Sequence, residues 1–95
     1  AFQQSLLDAG AEVNNALTQW QTARQSLTLD EEKIEQLETA LRSTRLLMQH
    51  GNTNYLEVLT AQQTLLDARL TKVSDRYEEI QGVINLYHAL GGGAD

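Results

Sequence analysis

The side chains in this sequence that could carry chemistry are two histidines, four serines and a set of carboxylates. His50 and His88 fall on different predicted helices and at opposite ends of the second one, so they cannot share a metal ion within one hairpin. No serine has a histidine or lysine spaced to act as its base, and such a base is what activates a hydroxyl nucleophile. The acidic run at residues 30–32 is typical of a solvated helix face. We therefore predict neither enzyme activity nor a bound cofactor or metal.

The composition limits the class of protein further. The 95 residues suffice for one domain at most, residues 1–95, and the lack of cysteine excludes disulfides and thiolate metal sites. The sequence has 7 basic and 13 acidic residues, giving a formal charge of −6. This balance argues against nucleic-acid binding, because phosphates need clustered Lys and Arg. No run of about 18 apolar residues is present to cross a membrane as a helix.

The first half of the sequence has the pattern of a long helix. Proline is absent, and good helix formers such as Ala, Leu, Gln and Glu are abundant. Positions spaced alternately three and four apart over residues 6–48 are apolar except for Asp30 and Thr44. Such a repeat is typical of a coiled coil and predicts a helix over about residues 2–49. A capping-box pattern at residues 28–31 leaves open a break near Thr28.

The middle of the sequence predicts a tight turn. Gly51 occupies a position suited to the left-handed residue that commonly ends a helix. Asn54 is a suitable N-cap for a second helix, and Glu57 three residues later completes a capping box. We therefore predict a turn over about 50–54, a second helix over about 55–90 and a glycine tail over 91–95. The predicted fold is all-α, a long antiparallel two-helix coiled-coil hairpin.

The second helix has a wider apolar surface than one partner helix needs. We therefore expect lateral self-association through the apolar surface that the hairpin leaves uncovered. The helix also carries a row of small residues, seven apart and interrupted by Asp75: Ala61, Ala68, Gly82 and Ala89. This row indicates either close contact with a neighbouring helix or the ordinary use of alanine in helices.

A turn centred at residues 51–52 places residues opposite each other when their numbers sum to about 103. Trp20 then faces Gly82, and Ala16 faces Tyr87, so that a large residue meets a small one in each pair. Asp30 falls within reach of three basic residues, namely Arg69, Lys72 and Arg76. We predict an ion pair between Asp30 and one of them, and a solvated Asp30 is the alternative.

Three segments resemble TolC-like outer-membrane efflux proteins. Residues 51–68 read GNTNYLEVLTAQQTLLDA, similar to that family's Gly followed by Tyr-Leu-acidic-Val-Leu-acidic-Ala-Gln and a Leu- and Ala-rich helix. Residues 86–93 read LYHALGGG, like its terminal Leu-Tyr-x-Ala-Leu-Gly-Gly-Gly. Residues 9–17 read AGAEVNNAL, like its Ala-x-x-Glu-Val-x-x-Ala-Leu segment. The three segments follow the family's order and cover nearly the whole chain.

The resemblance implies that this segment is one helical hairpin in the periplasmic α-barrel of a trimeric outer-membrane channel. Such channels export drugs, metals or proteins across the cell outer membrane, and this segment would lie in the periplasm. Gly51, Asn52, Thr53 and Asn54 would then lie at the periplasmic tip, which meets a periplasmic adaptor protein and an inner-membrane pump.

Glu57 has two alternative roles. Family members often carry two acidic positions that face the channel lumen and attract cations near the tip. Glu57 matches the first position, whereas Thr60 occupies the second, so the resemblance makes Glu57 the candidate for a channel constriction. The capping box described above is the alternative role for this residue.

A different class of function also fits a two-helix coiled coil. The chain could be a free-standing interaction module, such as a periplasmic adaptor hairpin that docks onto a channel. The segment at residues 51–62 and the Ala-Leu-Gly-Gly-Gly sequence at residues 89–93 favour the channel.

Overall fold

The computed structural model describes residues 2–91, with side chains described from residue 7 onward. Two helices form most of this part of the chain: α1 covers Phe2–Gln49 and α2 covers Tyr55–Ala89. The helices pack against each other and residues 2–91 contain no strand, which confirms the predicted all-α class. The side chain of Leu6 and the tail residues 92–95 lie outside the described part.

α1 passes through Thr28 as a single helix. The capping-box pattern at residues 28–31 therefore does not start a new helix. The heptad pattern explains this, because it continues through the same residues and keeps one face of α1 apolar.

Contacts divide the chain into two units, each made of one segment of α1 and one of α2. The turn unit comprises Leu27–Val73, and the terminal unit comprises Ala1–Ser26 and Ser74–Asp95. Lys72 pairs with Glu31 and Arg69 with Glu38 in the turn unit, so the numbering runs in opposite directions along the two helices. Gln19 meets Asn85 and Arg24 meets Glu79 in the terminal unit, which gives the same antiparallel order there.

The turn unit has a core of branched apolar side chains. Leu41 of α1 is buried together with Val58 and Leu65 of α2. Four partly buried residues pack against this cluster: Ile34, Leu37, Met48 and Ala61. Burial of a Leu or Val side chain contributes about 1.5–3 kcal/mol, so this cluster is the main apolar stabilisation of the turn unit.

The terminal unit is held by small residues at its helix contact. Ala16 and Ala23 are buried on α1, and Gly82 is buried on α2. A Cβ atom at Gly82 would lie 3.0 Å from Cα and 3.1 Å from the backbone nitrogen of Trp20. The missing side chain at Gly82 therefore lets the two backbones approach closely.

α2 carries two rows of residues with alternating three- and four-residue spacing. The inner row faces α1 within each unit and consists of Val58, Ala61, Leu65, Ala68, Lys72, Asp75, Glu79, Gly82, Leu86 and Ala89. The outer row consists of Leu56, Leu59, Gln63, Leu66, Leu70, Val73, Tyr77, Ile80, Ile84 and Tyr87. Every inner-row residue is buried or half-buried, whereas every outer-row residue except the half-buried Leu59 is exposed. Most of the large apolar side chains of α2 therefore point away from α1.

The close contact at Gly82 predicts that Gly82→Ala destabilises the chain. The added methyl group meets backbone atoms of Trp20, which cannot move aside as a flexible side chain could. We expect a loss of about 1–2 kcal/mol in the free energy of unfolding, measured by urea titration with far-UV circular dichroism. Gly10→Ala is the matched control, because a Cβ atom at Gly10 meets nothing within 4 Å. The control should gain about 0.5–1 kcal/mol from helix propensity, and equal effects of the two changes would contradict the packing argument.

Neighbouring leucines on α2 provide a second prediction. Leu65 is 4% exposed on the inner row, and Leu66 is 54% exposed on the outer row. Leu65→Ala should cost about 2 kcal/mol or more in the free energy of unfolding, since it removes buried apolar contacts. Leu66→Ala should change it by less than about 0.5 kcal/mol in the same urea titration of this chain. A larger loss for Leu66→Ala than for Leu65→Ala would show that the outer row, and not the inner row, faces α1.

Candidate functional site: the interhelical turn and the outer row of α2

The end of α1 forms a two-hydrogen-bond glycine cap. The backbone N–H of Gly51 donates to the carbonyl of Met48 at 3.0 Å, and that of Asn52 donates to the carbonyl of Leu47 at 2.8 Å. Gly51 has a φ of 75°, in the left-handed region that favours glycine. This is the Schellman arrangement, which satisfies the last carbonyls of a helix and reverses the chain direction.

The start of α2 is capped by Asn54. Its Oδ1 atom accepts a hydrogen bond from the backbone N–H of Glu57 at 3.1 Å. The Glu57 carboxylate does not complete a conventional capping box, and it accepts a hydrogen bond from the hydroxyl of Thr53. The backbone N–H of Glu57 therefore takes part in the cap, whereas its exposed carboxylate is hydrogen-bonded to Thr53 of the turn.

Apolar side chains lie on both sides of the turn. Leu46 and Leu47 near the end of α1, and Tyr55 and Leu56 at the start of α2, are all exposed. Large apolar side chains left in water are typical of a surface that contacts a partner. The polar residues of the turn itself, Asn52 and Asn54, are exposed as well, and Thr53 is half-buried.

The structure brings Trp20 and Gly82 together, with the guanidinium carbon of Arg24 5.1 Å from the centroid of the Trp20 ring. Ala16 lies in a groove that also includes His88 and Ala89. Tyr87 is exposed, and its ring meets that of His88 edge-on at a centroid distance of 6.0 Å. The packing of Ala16 against Tyr87 stays a prediction.

The basic residues considered as partners of Asp30 contact glutamates. Lys72 Nζ lies 3.7 Å from Glu31, Arg69 lies 3.4 Å from Glu38, and Arg76 lies 3.3 Å from Glu79. The Lys72 and Arg69 pairs are largely exposed, so each contributes at most about 1 kcal/mol, whereas the Glu79 side chain of the Arg76 pair is only 18% exposed. Asp30 itself is half-buried on the face of α1 that meets α2, and its ion pair stays a prediction.

Sequence reasoning missed a chain of amides in the terminal unit. Asn85 Nδ2 donates to Gln19 Oε1 at 3.0 Å, and Gln81 Nε2 donates to Asn85 Oδ1 at 3.2 Å. These residues are half-buried, so their hydrogen bonds fix the pairing of the helices where apolar packing is weak. The spacing of Gln81 and Asn85, four apart on one helix face, was the available signal.

A comparison with protein-family models matches residues 1–92 to the model described as outer membrane efflux protein. This chain belongs to the outer membrane efflux protein family. The match confirms the resemblance found in the three sequence segments. A comparison with solved structures finds no match.

Several bacterial proteins are similar to this chain over almost all of its length. "Cation efflux system protein CusC" of Escherichia coli is 35% identical over 92 residues, which cover 97% of this chain and 20% of CusC. "Probable outer membrane lipoprotein SilC" of Salmonella typhimurium is 29% identical, with the same coverage. "Toluene efflux pump outer membrane protein TtgF" of Pseudomonas putida is 29% identical over 99% of this chain and 20% of TtgF. The chain thus spans about a fifth of the length of these relatives.

Two further observations describe this family member. Within residues 2–91, neither helix combines the length and apolar character needed to cross a membrane. Over the same part of the chain, no three His, Asp or Glu side chains gather in a way that could hold a metal ion.

The arrangement at the start of α2 predicts that Asn54 and Glu57 differ in their effect on stability. Asn54→Ala should lower the free energy of unfolding by about 1 kcal/mol, because the backbone N–H of Glu57 loses its acceptor. Glu57→Gln should change it by less than about 0.5 kcal/mol, since the capping N–H remains. Urea titration followed by circular dichroism measures both. A Glu57→Gln loss as large as that of Asn54→Ala would show that the carboxylate carries the cap.

Proposed function

We propose that this chain is a periplasmic helical hairpin of a trimeric outer-membrane export channel. In this proposal the hairpin forms part of the α-helical wall, and the turn at Gly51 meets a periplasmic adaptor protein or an inner-membrane pump. Membership of the outer membrane efflux protein family supports a role in transport across the outer membrane. The observation that carries the position in the wall is the exposed outer row of α2.

The outer row supports packing against additional helices. Its exposed residues in the turn unit include Leu66, Leu70 and Val73, and those in the terminal unit include Tyr77 and Ile80. Burial of each such side chain contributes about 1.5–3 kcal/mol, so covering several of them stabilises an assembly strongly. The three- and four-residue spacing of the row is that of a coiled-coil face, which a neighbouring helix covers.

The inner row supports the same proposal by a complementary argument. Gly82 lets α1 approach α2 closely, and Ala61 and Ala68 add small residues to the same row, so that most of the larger apolar side chains of α2 remain for other contacts. A helix in a closed wall needs two contact faces, one for each neighbour. α2 has these two faces, and a free-standing two-helix module needs only one. The second face favours the channel over the adaptor-like alternative.

The turn supports contact with partner proteins at this end of the hairpin. Leu46, Leu47, Tyr55 and Leu56 expose apolar surface beside the polar residues of the turn. A mixed surface of this kind, with an aromatic side chain among aliphatic ones, is typical of protein interfaces. We propose that Gly51, Asn52, Thr53 and Asn54 shape this surface and that the leucines and Tyr55 supply its apolar contacts.

Glu57 is the proposed cation-binding residue of the channel entrance. Its carboxylate is exposed, and its capping role is carried by its backbone. Three copies in a trimer would concentrate negative charge where the helices converge, and such charge attracts cations. Thr60, one turn further along α2, uses its hydroxyl to bond the carbonyl of Leu56 and adds no charge.

The cargo proposed for the channel is cations or toluene, which the names of CusC and TtgF give. Both relatives match this chain at nearly full coverage, although the named cargoes differ in polarity. The hairpin is therefore proposed to form the conduit, with cargo choice made elsewhere in the assembly. The location that follows is the outer membrane, with this segment in the periplasm.

Adjacent substitutions on α2 test the position in the wall. Leu70→Lys places a charge on the outer row, where Leu70 is 58% exposed. In the full-length protein it should reduce trimer recovery from outer membranes and reduce export, because the charge is buried at the helix contact without a partner. In this 95-residue chain it should leave the free energy of unfolding nearly unchanged.

Thr71→Lys is the control for this test. Thr71 is exposed and lies on neither row, and its hydroxyl bonds the carbonyl of Asp67. It should leave trimer recovery and export at the level of the unsubstituted protein. Equal trimer recovery for Leu70→Lys and Thr71→Lys would overturn the proposal that the outer row lies between packed helices.

A further inference from the structure

Thr53 holds the Glu57 side chain at the junction of the turn and α2. Its hydroxyl donates to Oε2 of Glu57, while the backbone N–H of Glu57 donates to Asn54. The turn before Thr53 is itself fixed, since the N–H groups of Gly51 and Asn52 bond carbonyls of α1. The Glu57 carboxylate is therefore hydrogen-bonded to a turn of defined conformation, in addition to its covalent link to α2.

We propose that Thr53 is a positioning residue that orients the Glu57 carboxylate for cation binding at the channel entrance. This inference rests on the proposed function, in which the Glu57 side chains of a trimer face the lumen. It adds that the Glu57 carboxylate is held in one position, and that the neutral hydroxyl of Thr53 in the turn holds it there.

The charge of Glu57 is available to a cation. Among the ion pairs formed by the described residues, none includes Glu57, and its side chain is exposed. An ionised carboxylate has about four lone-pair sites on two oxygens. The bond from Thr53 uses one site on Oε2 and leaves Oε1 to contact a metal ion or its bound water.

Orientation matters because Glu is a long side chain with several rotamers. A cation that binds an unrestrained carboxylate must also immobilise it, and this ordering opposes binding. A hydrogen bond that holds the side chain beforehand removes part of that cost. Loss of the Thr53 hydroxyl should therefore weaken cation binding although the charge of Glu57 is unchanged.

The experiment uses the full-length channel in planar lipid bilayers, with Mg²⁺ as the blocking ion. Thr53→Val removes the hydroxyl and keeps the branched shape, and it should raise the half-blocking Mg²⁺ concentration about threefold or more. Thr53→Ser restores a donor and should return the concentration close to that of the unsubstituted channel. Thr64→Val is the matched control, because Thr64 bonds the backbone carbonyl of Thr60 and not a carboxylate.

Two readouts separate positioning from a structural effect. Trimer recovery should be the same for Thr53→Val and Thr64→Val. Adding Thr53→Val to a Glu57→Gln channel should produce no further change in block, since the hydroxyl acts through the carboxylate. A further weakening in that double variant would overturn the inference.

The remaining outcomes distinguish this inference from the proposed function. If Glu57→Gln weakens Mg²⁺ block and Thr53→Val does not, the positioning role is wrong and the lumen-facing carboxylate stands. If Glu57→Gln leaves block unchanged in a conducting channel, both the lumen role of Glu57 and the positioning role are wrong, whereas channel formation stands. If the full-length protein forms no conducting channel, the proposed function itself fails.

Discussion

The distance at which the α1 and α2 backbones meet is the constraint on which the other features depend. Small residues on the inner row of α2, above all Gly82 against the backbone of Trp20, set this distance. Larger side chains would separate the backbones at these small positions, and most of the large apolar residues of α2 lie on its other rows. The exposed outer row is thus the counterpart of the closely packed inner row, and the two together give α2 its two contact faces.

Different interactions hold α1 and α2 together in the two units. The turn unit buries Leu41, Val58 and Leu65, so the hydrophobic effect stabilises it directly. The terminal unit relies on close backbone contact and on the amide chain from Gln19 through Asn85. Amide hydrogen bonds contribute about 1 kcal/mol each, but their geometry is strict, so they specify pairing more than they add stability.

The sequence predicted the all-α fold because heptad spacing and the absence of proline both act locally. It also indicated the meeting of Trp20 with Gly82, since a fixed turn sets which residues lie opposite each other. The faces of α2 were harder to assign, because several rows on it are apolar and periodicity alone does not rank them. The Thr53–Glu57 contact was not predictable from the capping pattern, which expects the carboxylate to bond backbone.

The Schellman cap at Gly51 has a consequence for the topology of this chain. The residues between the helices contain no proline, so nothing covalent prevents the backbone from continuing straight as helix through the turn. Two chains opened in this way could exchange their second helices and recreate the same contacts between copies, as in domain swapping. The left-handed glycine and the cap bonds of Asn52 and Asn54 favour return within one chain. The conformation of this short linker therefore favours pairing of α2 with its own α1 over pairing with the α1 of another molecule.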